Sequence, residues 1–301
     1  MSRRGPIFIG GTGRCGTTIL VRILARHPAI FTLRWESQFL VAPDGLLHLA
    51  QRRWNHRDLE RFLEKMRGRW FERMLHVGKP NEYKAGLCAD VPREQLEAAV
   101  SWLEERVRDA TSPEAARRLV AHFVSRLLDP SAERAGASRW CEKTPRNLLY
   151  ADRLAAVFPD LRFLHIVRDG RDVVASMLDK GFWPIAAGHE FPRVSRYRGA
   201  LDHELAASYW KDVLELGAVT TAGLPPGTYY ELRFEDLIAE PRRVLGEICA
   251  FLGEDFVDEL LEQDLSRHHI GRWRSALSPE HAARVEELSA PMLEAKGYAR
   301  S

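Results

Sequence analysis

Short apolar runs alternate with amphipathic stretches along much of the chain. An apolar run of four to seven residues is typical of a buried strand, whereas apolar residues three and four apart, as Ile19, Leu20, Ile23 and Leu24 are, indicate a helix. Strands that alternate with helices pair in parallel βαβ units. The apolar runs predict strands at residues 6–10, 30–33, 139–142, 161–167 and 228–234.

Helical spacing fills most of the chain between these runs. His27 and Pro28 end the first helix, because a residue before proline is driven out of the α region. A stretch at 180–198, rich in glycine, proline and aromatic residues, predicts a loop or lid. The chain beyond 255 is helical, with a basic break at 267–274. The other predicted helices cover 17–26, 145–158, 199–222 and 241–252, and one more opens at 170–177.

The segment from about 37 to 130 departs from this alternation. Its apolar spacing predicts helices over 57–75, 93–110 and 113–128. Ser112 offers an N-cap for the last of them, and Pro113 suits its first turn. We therefore predict an α/β fold in which a P-loop-type parallel sheet is flanked by helices and carries a mostly helical insertion.

A glycine-rich loop joins the first strand to the first helix. Residues 11–18 are Gly-Thr-Gly-Arg-Cys-Gly-Thr-Thr. Such a loop turns its backbone N–H groups toward one point, and the helix N-terminus adds positive potential, so we expect a bound anion. The spacing matches a Walker A loop, but Thr17 stands where that motif has lysine. Without this lysine, ATP phosphoryl transfer loses a main electrostatic part, and Arg14 offers a charge instead.

A second candidate anion site follows the strand at 161–167. Arg168 comes at its carboxyl end, where α/β sheets bind ligands, and Ser176 lies on the first turns of the next helix. A guanidinium and a hydroxyl can hold one phosphate together. A surface ion pair of Arg168 with Asp169 or Asp172 is the alternative.

Composition and charge exclude several classes of function. The net charge is only +2, which argues against bulk nucleic-acid binding. The four cysteines are far apart and form no CxxC pair, so we expect neither a structural zinc site nor a disulfide framework. No apolar window approaches the length of a membrane span, and no apolar signal stretch precedes the first strand. We expect a soluble, cytoplasmic protein.

The two anion motifs together resemble those of the sulfotransferases that use 3'-phosphoadenosine-5'-phosphosulfate (PAPS). The resemblance covers about residues 6–36 and 139–253 and leaves the helical insertion unmatched. Three segments carry it. They are 8–18, similar to the family's 5'-phosphosulfate loop (RSGTT or KSGTT), 163–177, similar to its 3'-phosphate motif, and 233–253, similar to the strand and helix that close its core.

The resemblance implies a single sulfotransferase domain over 1–301 that binds PAPS, releases 3',5'-ADP and requires no metal. Cys15 replaces the usual serine of the loop, and its backbone N–H can still bind phosphate. A passive small residue is one interpretation of Cys15, and a thiol whose pKa is lowered at a helix N-terminus is the other. The implied cofactor-binding residues are Gly13, Arg14, Cys15, Gly16, Thr17, Thr18, Arg168, Ser176 and, from the C-terminal basic segment, Arg272.

The sequence most resembles the tyrosylprotein sulfotransferase-like or bacterial sulfotransferase branch of the family, and three residues are expected to be catalytic. Sulfuryl transfer needs a base for the acceptor proton and positive donors for the sulfuryl oxygens. Glu36 follows the loop at nearly the distance of that branch's glutamate base, although a glutamate favoured by a helix dipole is the alternative. Lys143 stands where the branch has a lysine that contacts the transferring group, with Thr144 in place of the usual aspartate. Arg14 shares this task, and a histidine base has no placed candidate.

The acceptor is expected to be a hydroxyl or amine of a small molecule or peptide. Trp35, Phe39, Trp183 and Phe191 suggest that it is aromatic or apolar, although aromatic residues also fill cores. A P-loop kinase and a non-catalytic nucleotide-binding protein are the alternative functions. The kinase requires the missing loop lysine, and the non-catalytic protein would lack groups such as Glu36 and Lys143.

Overall fold

The computed structural model describes residues 4–51, 55–75, 83–180, 191, 193, 202–266 and 269–299. The strands within these ranges form two sheets. In chain order they are β1 (Ile7–Gly10), β2 (Ile30–Thr32), β3 (Arg73–Leu75), β4 (Tyr83–Ala85), β5 (Arg139–Lys143), β6 (Arg162–Val167) and β7 (Tyr229–Arg233).

A five-stranded parallel sheet forms the centre of the fold. Its strand order is β2-β5-β1-β6-β7, and all four neighbouring pairs are parallel. Ile9 pairs with Lys143 on one side and with Leu164 on the other. The carboxyl ends of β1, β5 and β6 therefore meet at one edge, where parallel sheets bind ligands. The five predicted strands are confirmed, each to within one residue at either end.

The central strands are apolar because helices cover the sheet. Ile7, Phe8 and Ile9 of β1 are fully buried, as are Phe163 and Leu164 of β6. The helices are α1 (Thr17–Leu24), α2 (Leu46–Leu49), α3 (His56–Lys65), α4 (Arg93–Arg106), α5 (Pro113–Arg134), α6 (Ala151–Val157), α7 (Gly170–Lys180), α8 (His203–Thr221), α9 (Phe234–Ala239), α10 (Pro241–Leu252), α11 (Trp273–Ala276) and α12 (Pro279–Ala295). Among them, none has an apolar stretch long enough to cross a membrane.

The insertion is mostly helical, as predicted, but it also contains a β-hairpin. The helix predicted over 57–75 ends at Lys65 and continues as one π-helical turn over 66–70. The chain then forms β3, which pairs antiparallel with β4. Gly68 weakens the helix in this region, and a three-residue strand is too short to show its own alternation. At the other end of the insertion, the Ser112 side chain caps α5 as predicted.

Some predicted boundaries were wrong. The segment predicted as a helix over 145–158 starts as a 3-10 turn over 145–150, because the N–H of Asn147 bonds to the carbonyl of Thr144, three residues earlier. The α-helix α6 follows this turn. The turn places residues 145–150 directly after the carboxyl end of β5.

Three further predictions concern the second half of the chain. The loop or lid predicted at 180–198 lies largely outside the described residues. The helix predicted from 199 begins at His203, after Asp202 caps it with its side chain. Within the basic break predicted at 267–274, the short helix α11 already begins at Trp273.

Candidate active site

The loop between β1 and α1 is sharply turned. Gly13 (φ 78°), Arg14 (φ 55°) and Gly16 (φ 106°) all have a left-handed backbone, which glycine adopts at little steric cost. Position 16 has no room for a larger residue, because a Cβ atom there would lie 2.4 Å from a ring carbon of Phe234. Glycine thus occupies two of the three left-handed positions of the turn, and Arg14 occupies the third.

The N-terminus of α1 is open to an anion. Its N-cap, Gly16, gives no side-chain hydrogen bond to the first turn, and the first turn contains no acidic residue. The first N–H groups of a helix lack intrahelical acceptors, and the helix dipole adds positive potential there. Thr17 is buried and Thr18 is exposed at this end. The predicted residues 13–18 therefore surround one helix start, a geometry that suits phosphate.

Cys15 is a buried residue of this loop. Its side chain is fully buried, and burial raises the pKa of the thiol. The alternative interpretation, a thiol with a lowered pKa, is wrong, because desolvation outweighs the hydrogen bonds with Thr12, Gly13 and Thr17 that lower the pKa. Any contribution of Cys15 to ligand binding therefore comes from its backbone.

Arg168 lies at the carboxyl end of β6 and is 7% exposed. Its Nη1 donates to the Arg14 carbonyl (3.3 Å), and its Nη2 donates to the His269 carbonyl (2.6 Å). The ion pair that was the alternative role is present with Asp172, at 3.5 Å. That carboxylate also accepts the N–H groups of Gly271 (2.7 Å) and Trp273 (3.0 Å), so it serves the C-terminal segment as well.

Arg14 connects the two predicted anion sites. Its Nε donates to the Ser176 hydroxyl at 3.0 Å, across 162 residues of sequence. Burial, followed by the charge of Arg168, lowers the pKa of Arg14. Two guanidinium groups so close to an uncapped helix start create a strongly positive region that favours a polyanion. The structure thus brings together the loop at 13–18 and the motif around Arg168 and Ser176.

Lys143 and Glu36 form an ion pair at the same edge of the sheet. The Lys143 Nζ lies 3.0 Å from the Glu36 carboxylate and 3.4 Å from the Thr18 hydroxyl. The lysine side chain is 7% exposed and the glutamate side chain 35%. The predicted base and the predicted cationic donor are therefore in contact beside the start of α1.

Glu142 is a buried carboxylate that sequence reasoning missed. Its Oε1 accepts hydrogen bonds from the Ser37 N–H (3.2 Å), the Ser37 hydroxyl (2.9 Å) and the Thr144 hydroxyl (2.6 Å). Its Oε2 accepts from the Asn147 amide (2.6 Å). Burial raises the pKa of Glu142. Through these bonds Glu142 holds Ser37, the residue after Glu36, against β5, the strand that carries Lys143. The only signal of Glu142 in the sequence is an acid within a short buried strand.

Tyr209 is a second residue that sequence reasoning missed. It is fully buried on α8, and its hydroxyl donates to the Thr12 carbonyl at 3.0 Å. This bond fixes the loop between β1 and α1 to a helix that follows nearly 200 residues later. The sequence shows only an aromatic residue at a helical core position, which gives no indication of the contact.

The C-terminal basic segment packs against α7. Arg272 donates to the Asp179 carboxylate at 3.2 Å, and Asp179 lies one helical turn beyond Ser176. Trp273 packs under the Arg171 guanidinium, 4.4 Å from its ring centroid. The predicted ligand Arg272 therefore lies near the Ser176 end of the site but has an acidic partner.

The four aromatic residues proposed for the acceptor differ in their surroundings. Phe39 is fully buried in the core, and Phe191 packs edge-on against the buried Tyr150, with ring centroids 5.1 Å apart. Trp35 is half-buried beside Glu36, and Trp183 lies outside the described residues. Of these residues, Trp35 is the one placed next to the predicted base. In the part of the chain that the structure describes, no three His, Cys, Asp or Glu side chains converge to hold a metal ion.

Comparison with known proteins places this geometry among sulfotransferases. A family model described as "Sulfotransferase family" matches residues 6–258. Protein-tyrosine sulfotransferase 2 of Gallus gallus is 24% identical over 258 residues, which cover 86% of this chain and 53% of that protein. Omega-hydroxy-beta-dihydromenaquinone-9 sulfotransferase Stf3 of Mycobacterium tuberculosis is 32% identical over 167 residues, or 52% of this chain and 41% of that protein. An uncharacterised protein of Aquifex aeolicus is 23% identical over 301 residues, or 96% of this chain and 32% of that protein. The chain thus spans about a third to a half of these curated relatives.

Solved structures share the fold. The sulfotransferase domain from the curacin biosynthetic pathway superposes with a TM-score of 0.55 at 16% identity, with full coverage of both chains. The sulfotransferase domain of the Synechococcus PCC 7002 olefin synthase gives a TM-score of 0.52 at 22% identity and covers 100% of this chain and 98% of that one. These likenesses confirm the predicted α/β fold with its parallel sheet.

Proposed function

The chain belongs to the sulfotransferase family, and on that basis we propose that it transfers a sulfuryl group from PAPS to a hydroxyl or amine of an acceptor. The observation that carries this proposal is the hydrogen bond between Arg14 Nε and the Ser176 hydroxyl. It makes one continuous surface from the two motifs that would bind the opposite ends of a doubly phosphorylated nucleotide. Residues 1–301 would form one such catalytic domain.

The residues present fit this cofactor. The N–H groups of 13–18 at the uncapped start of α1 would hold the 5'-phosphosulfate. Arg168 and Ser176 would hold the 3'-phosphate. Arg272 would join them by exchanging its partner Asp179 for the ligand. A phosphate would also offset the mutual repulsion of Arg14 and Arg168, which accounts for two guanidinium groups at one place.

When bound, PAPS supplies a sulfuryl group on a leaving phosphate, and 3',5'-ADP departs with the electrons of the broken S–O bond. Glu36 takes the proton from the acceptor hydroxyl as its oxygen attacks sulfur. Lys143 carries three N–H donors, of which one points to Glu36 and one to Thr18, so it retains a donor for a sulfuryl oxygen. Arg14 and the loop N–H groups stabilise charge on the leaving phosphate. No step in this scheme uses a metal ion.

The acceptor is proposed at a coarser level. One relative is named for protein tyrosine and another for a hydroxylated menaquinone, so hydroxyl groups on aromatic and apolar molecules are the first candidates. The half-buried Trp35 beside Glu36 supports an aromatic or apolar acceptor next to the base. A screen of peptide tyrosines, phenols and aliphatic alcohols with sulfur-labelled PAPS tests this proposal.

A thermal-shift comparison tests the cofactor assignment. A ligand that binds the folded state alone stabilises it by about 2.7 kcal/mol at one hundred times its dissociation constant. We expect 3',5'-ADP to raise the melting temperature strongly and ATP with Mg²⁺ to do so weakly. Stabilisation by ATP with Mg²⁺ and not by 3',5'-ADP would contradict the proposal and favour a kinase.

A further inference from the structure

A buried arginine lies beside the proposed transfer site, and no carboxylate among the described residues forms an ion pair with it. Arg146 is on the 3-10 turn that follows Lys143 and is 9% exposed. Its Nη1 donates to the Val41 carbonyl at 3.2 Å. Its Nε is buried without a hydrogen-bond partner, and none of the described acids forms an ion pair with this guanidinium. Burial is the main cause that lowers its pKa.

The other buried arginines that the structure describes are paired with acids. Arg139 contacts Glu254 at 3.2 Å, and Arg171 contacts Asp169 at 2.8 Å. Each of these pairs compensates the desolvation of the cation, which is otherwise costly. Arg146 is therefore a departure from the pattern that this chain follows elsewhere. Such local departures are expected at functional sites.

Arg146 follows Lys143 by three residues, on the turn at the carboxyl end of β5. The groups whose charges raise its pKa are Tyr150, Tyr209 and Glu36, the proposed base. Through Val41 it also contacts the segment that follows Glu36. It belongs to neither of the two motifs that would hold the phosphates of the cofactor. The cation is thus close to the base and is not committed to the nucleotide.

We propose that Arg146 binds an oxyanion of the acceptor, a carboxylate or a phosphate or sulfate ester, and so selects acceptors that carry negative charge near the reacting hydroxyl. This inference rests on the proposed sulfuryl transfer and narrows its substrate class. An incoming oxyanion would supply the charge partner that the described residues do not give Arg146. The hydroxyl of the same molecule would then be presented to Glu36.

Matched acceptors test the inference. The specificity constant kcat/KM is measured for 4-hydroxyphenylacetate and for 4-hydroxyphenylacetamide, which differ in charge and little in shape. We expect the wild-type protein to favour the acid and Arg146→Met to lower the acid-to-amide ratio by about 10- to 100-fold, the usual range for loss of a charged hydrogen bond. Arg146→Lys should keep part of the preference. The control Arg118→Gln removes an exposed arginine of α5 and should keep the wild-type ratio.

A second readout separates binding from a structural role. Because Arg146 is a buried cation without an acid, Arg146→Met should melt at the same temperature as the wild-type protein or higher. Its response to 3',5'-ADP should be unchanged. If no phenol in the pair is sulfated, equilibrium binding of the acid and the amide to the complex with 3',5'-ADP replaces the kinetic ratio.

Several outcomes would overturn the inference. They are an equal preference for acid and amide in the wild-type protein, an unchanged ratio in Arg146→Met, or a melting temperature several degrees lower in that variant. A wild-type protein that neither responds to 3',5'-ADP nor transfers sulfur to any acceptor would instead contradict the proposed function. The two failures are therefore distinguishable.

Discussion

The Lys143 ammonium and the Glu36 carboxylate lie 3.0 Å apart, although 107 residues separate them in the chain. Lys143 ends β5, and Glu36 follows β2, the strand that pairs with β5 in parallel. Strand pairing therefore delivers both side chains to the same edge of the sheet. An acid that contacts a lysine beside the uncapped start of α1 provides the two groups that proton removal and charge stabilisation require.

Glu36→Gln should separate chemistry from cofactor binding. The amide preserves the shape of the side chain but cannot accept the acceptor proton, so we expect turnover to fall by about 10²- to 10⁴-fold. The shift in melting temperature caused by 3',5'-ADP should remain, because Glu36 is not among the residues proposed to hold the nucleotide. Unchanged turnover would remove Glu36 from the role of base.

Lys143→Ala should also lower turnover. The loss of one preorganised donor to a developing charge typically costs about 10²- to 10³-fold in rate. Lys65→Ala is the matched control, because Lys65 likewise pairs with an acid, Asp44, at 2.8 Å, but lies in the insertion. Steady-state rates with PAPS and the best acceptor provide the measurement. If both variants lost the same activity, the effect would not be specific to the site.

Arg168→Ala should act on cofactor affinity. Its guanidinium is proposed to hold the 3'-phosphate, and a hydrogen bond to a charged group is worth about 1.5–3 kcal/mol, or roughly 10- to 150-fold in dissociation constant. Calorimetric titration should show this weakening for 3',5'-ADP but a much smaller change for adenosine 5'-phosphate, which lacks the 3'-phosphate. Equal weakening for both nucleotides would indicate that Arg168 only maintains the local structure.

Motifs in one stretch of sequence were easier to predict than contacts between distant stretches. Glycine spacing signals the loop at 13–18, and position after a buried strand signals Arg168. The structure places both features where these signals predict them. The bond between Arg14 and Ser176 depends on how β1 and β6 pair, which local periodicity does not specify. The same holds for Tyr209, whose role follows from the packing of α8.

Errors in the predicted elements also have physical causes. The amphipathic spacing over 57–75 is equally compatible with one long helix and with a helix followed by a hairpin, and the pairing of β3 with β4 decides between them. The resemblance assigns Arg272 to the 3'-phosphate, and its ion pair with Asp179, which no sequence pattern indicates, depends on the packing of α11 against α7. Sequence patterns report burial and spacing, and they do not report which acid a surface cation will contact.

The cysteines give a prediction about thiol reactivity. Burial raises the pKa of Cys15, and it raises the pKa of Cys249 to about 11, whereas Cys88 is exposed. Because the thiolate is the reactive form, a disulfide reagent at neutral pH should modify Cys88 rapidly and the buried thiols only on unfolding. Titration of the native protein should therefore give one fast thiol, and Cys88→Ser should abolish it. Fast modification of Cys15 in that variant would contradict the buried loop.

Glu142→Gln should lower turnover without weakening cofactor binding. Glu142 accepts hydrogen bonds from Ser37, Thr144 and Asn147, and the Asn147 amide also donates to the Ile9 carbonyl (3.1 Å). A glutamine at position 142 that keeps its oxygen toward Ser37 points its own N–H₂ group at the N–H₂ group of Asn147, so that two donors face each other. That bond is lost, at a cost of about 1–3 kcal/mol, and the segment that carries Glu36 is free to shift. Because a misplacement of about 1 Å can cost 10²-fold in rate, kcat should fall by about that factor.

The control for this variant is another buried carboxylate. Asp129 lies on α5 and accepts a hydrogen bond from the indole of Trp140, on β5, at 2.9 Å within the core. Asp129→Asn likewise replaces a buried carboxylate by its amide, keeps an oxygen for the Trp140 indole, and should leave kcat close to wild type. Calorimetry with 3',5'-ADP, urea unfolding and kcat measured on all three proteins separate the two effects. Equal losses of kcat in the two variants would show that Glu142 acts through general stability and not by positioning the catalytic pair.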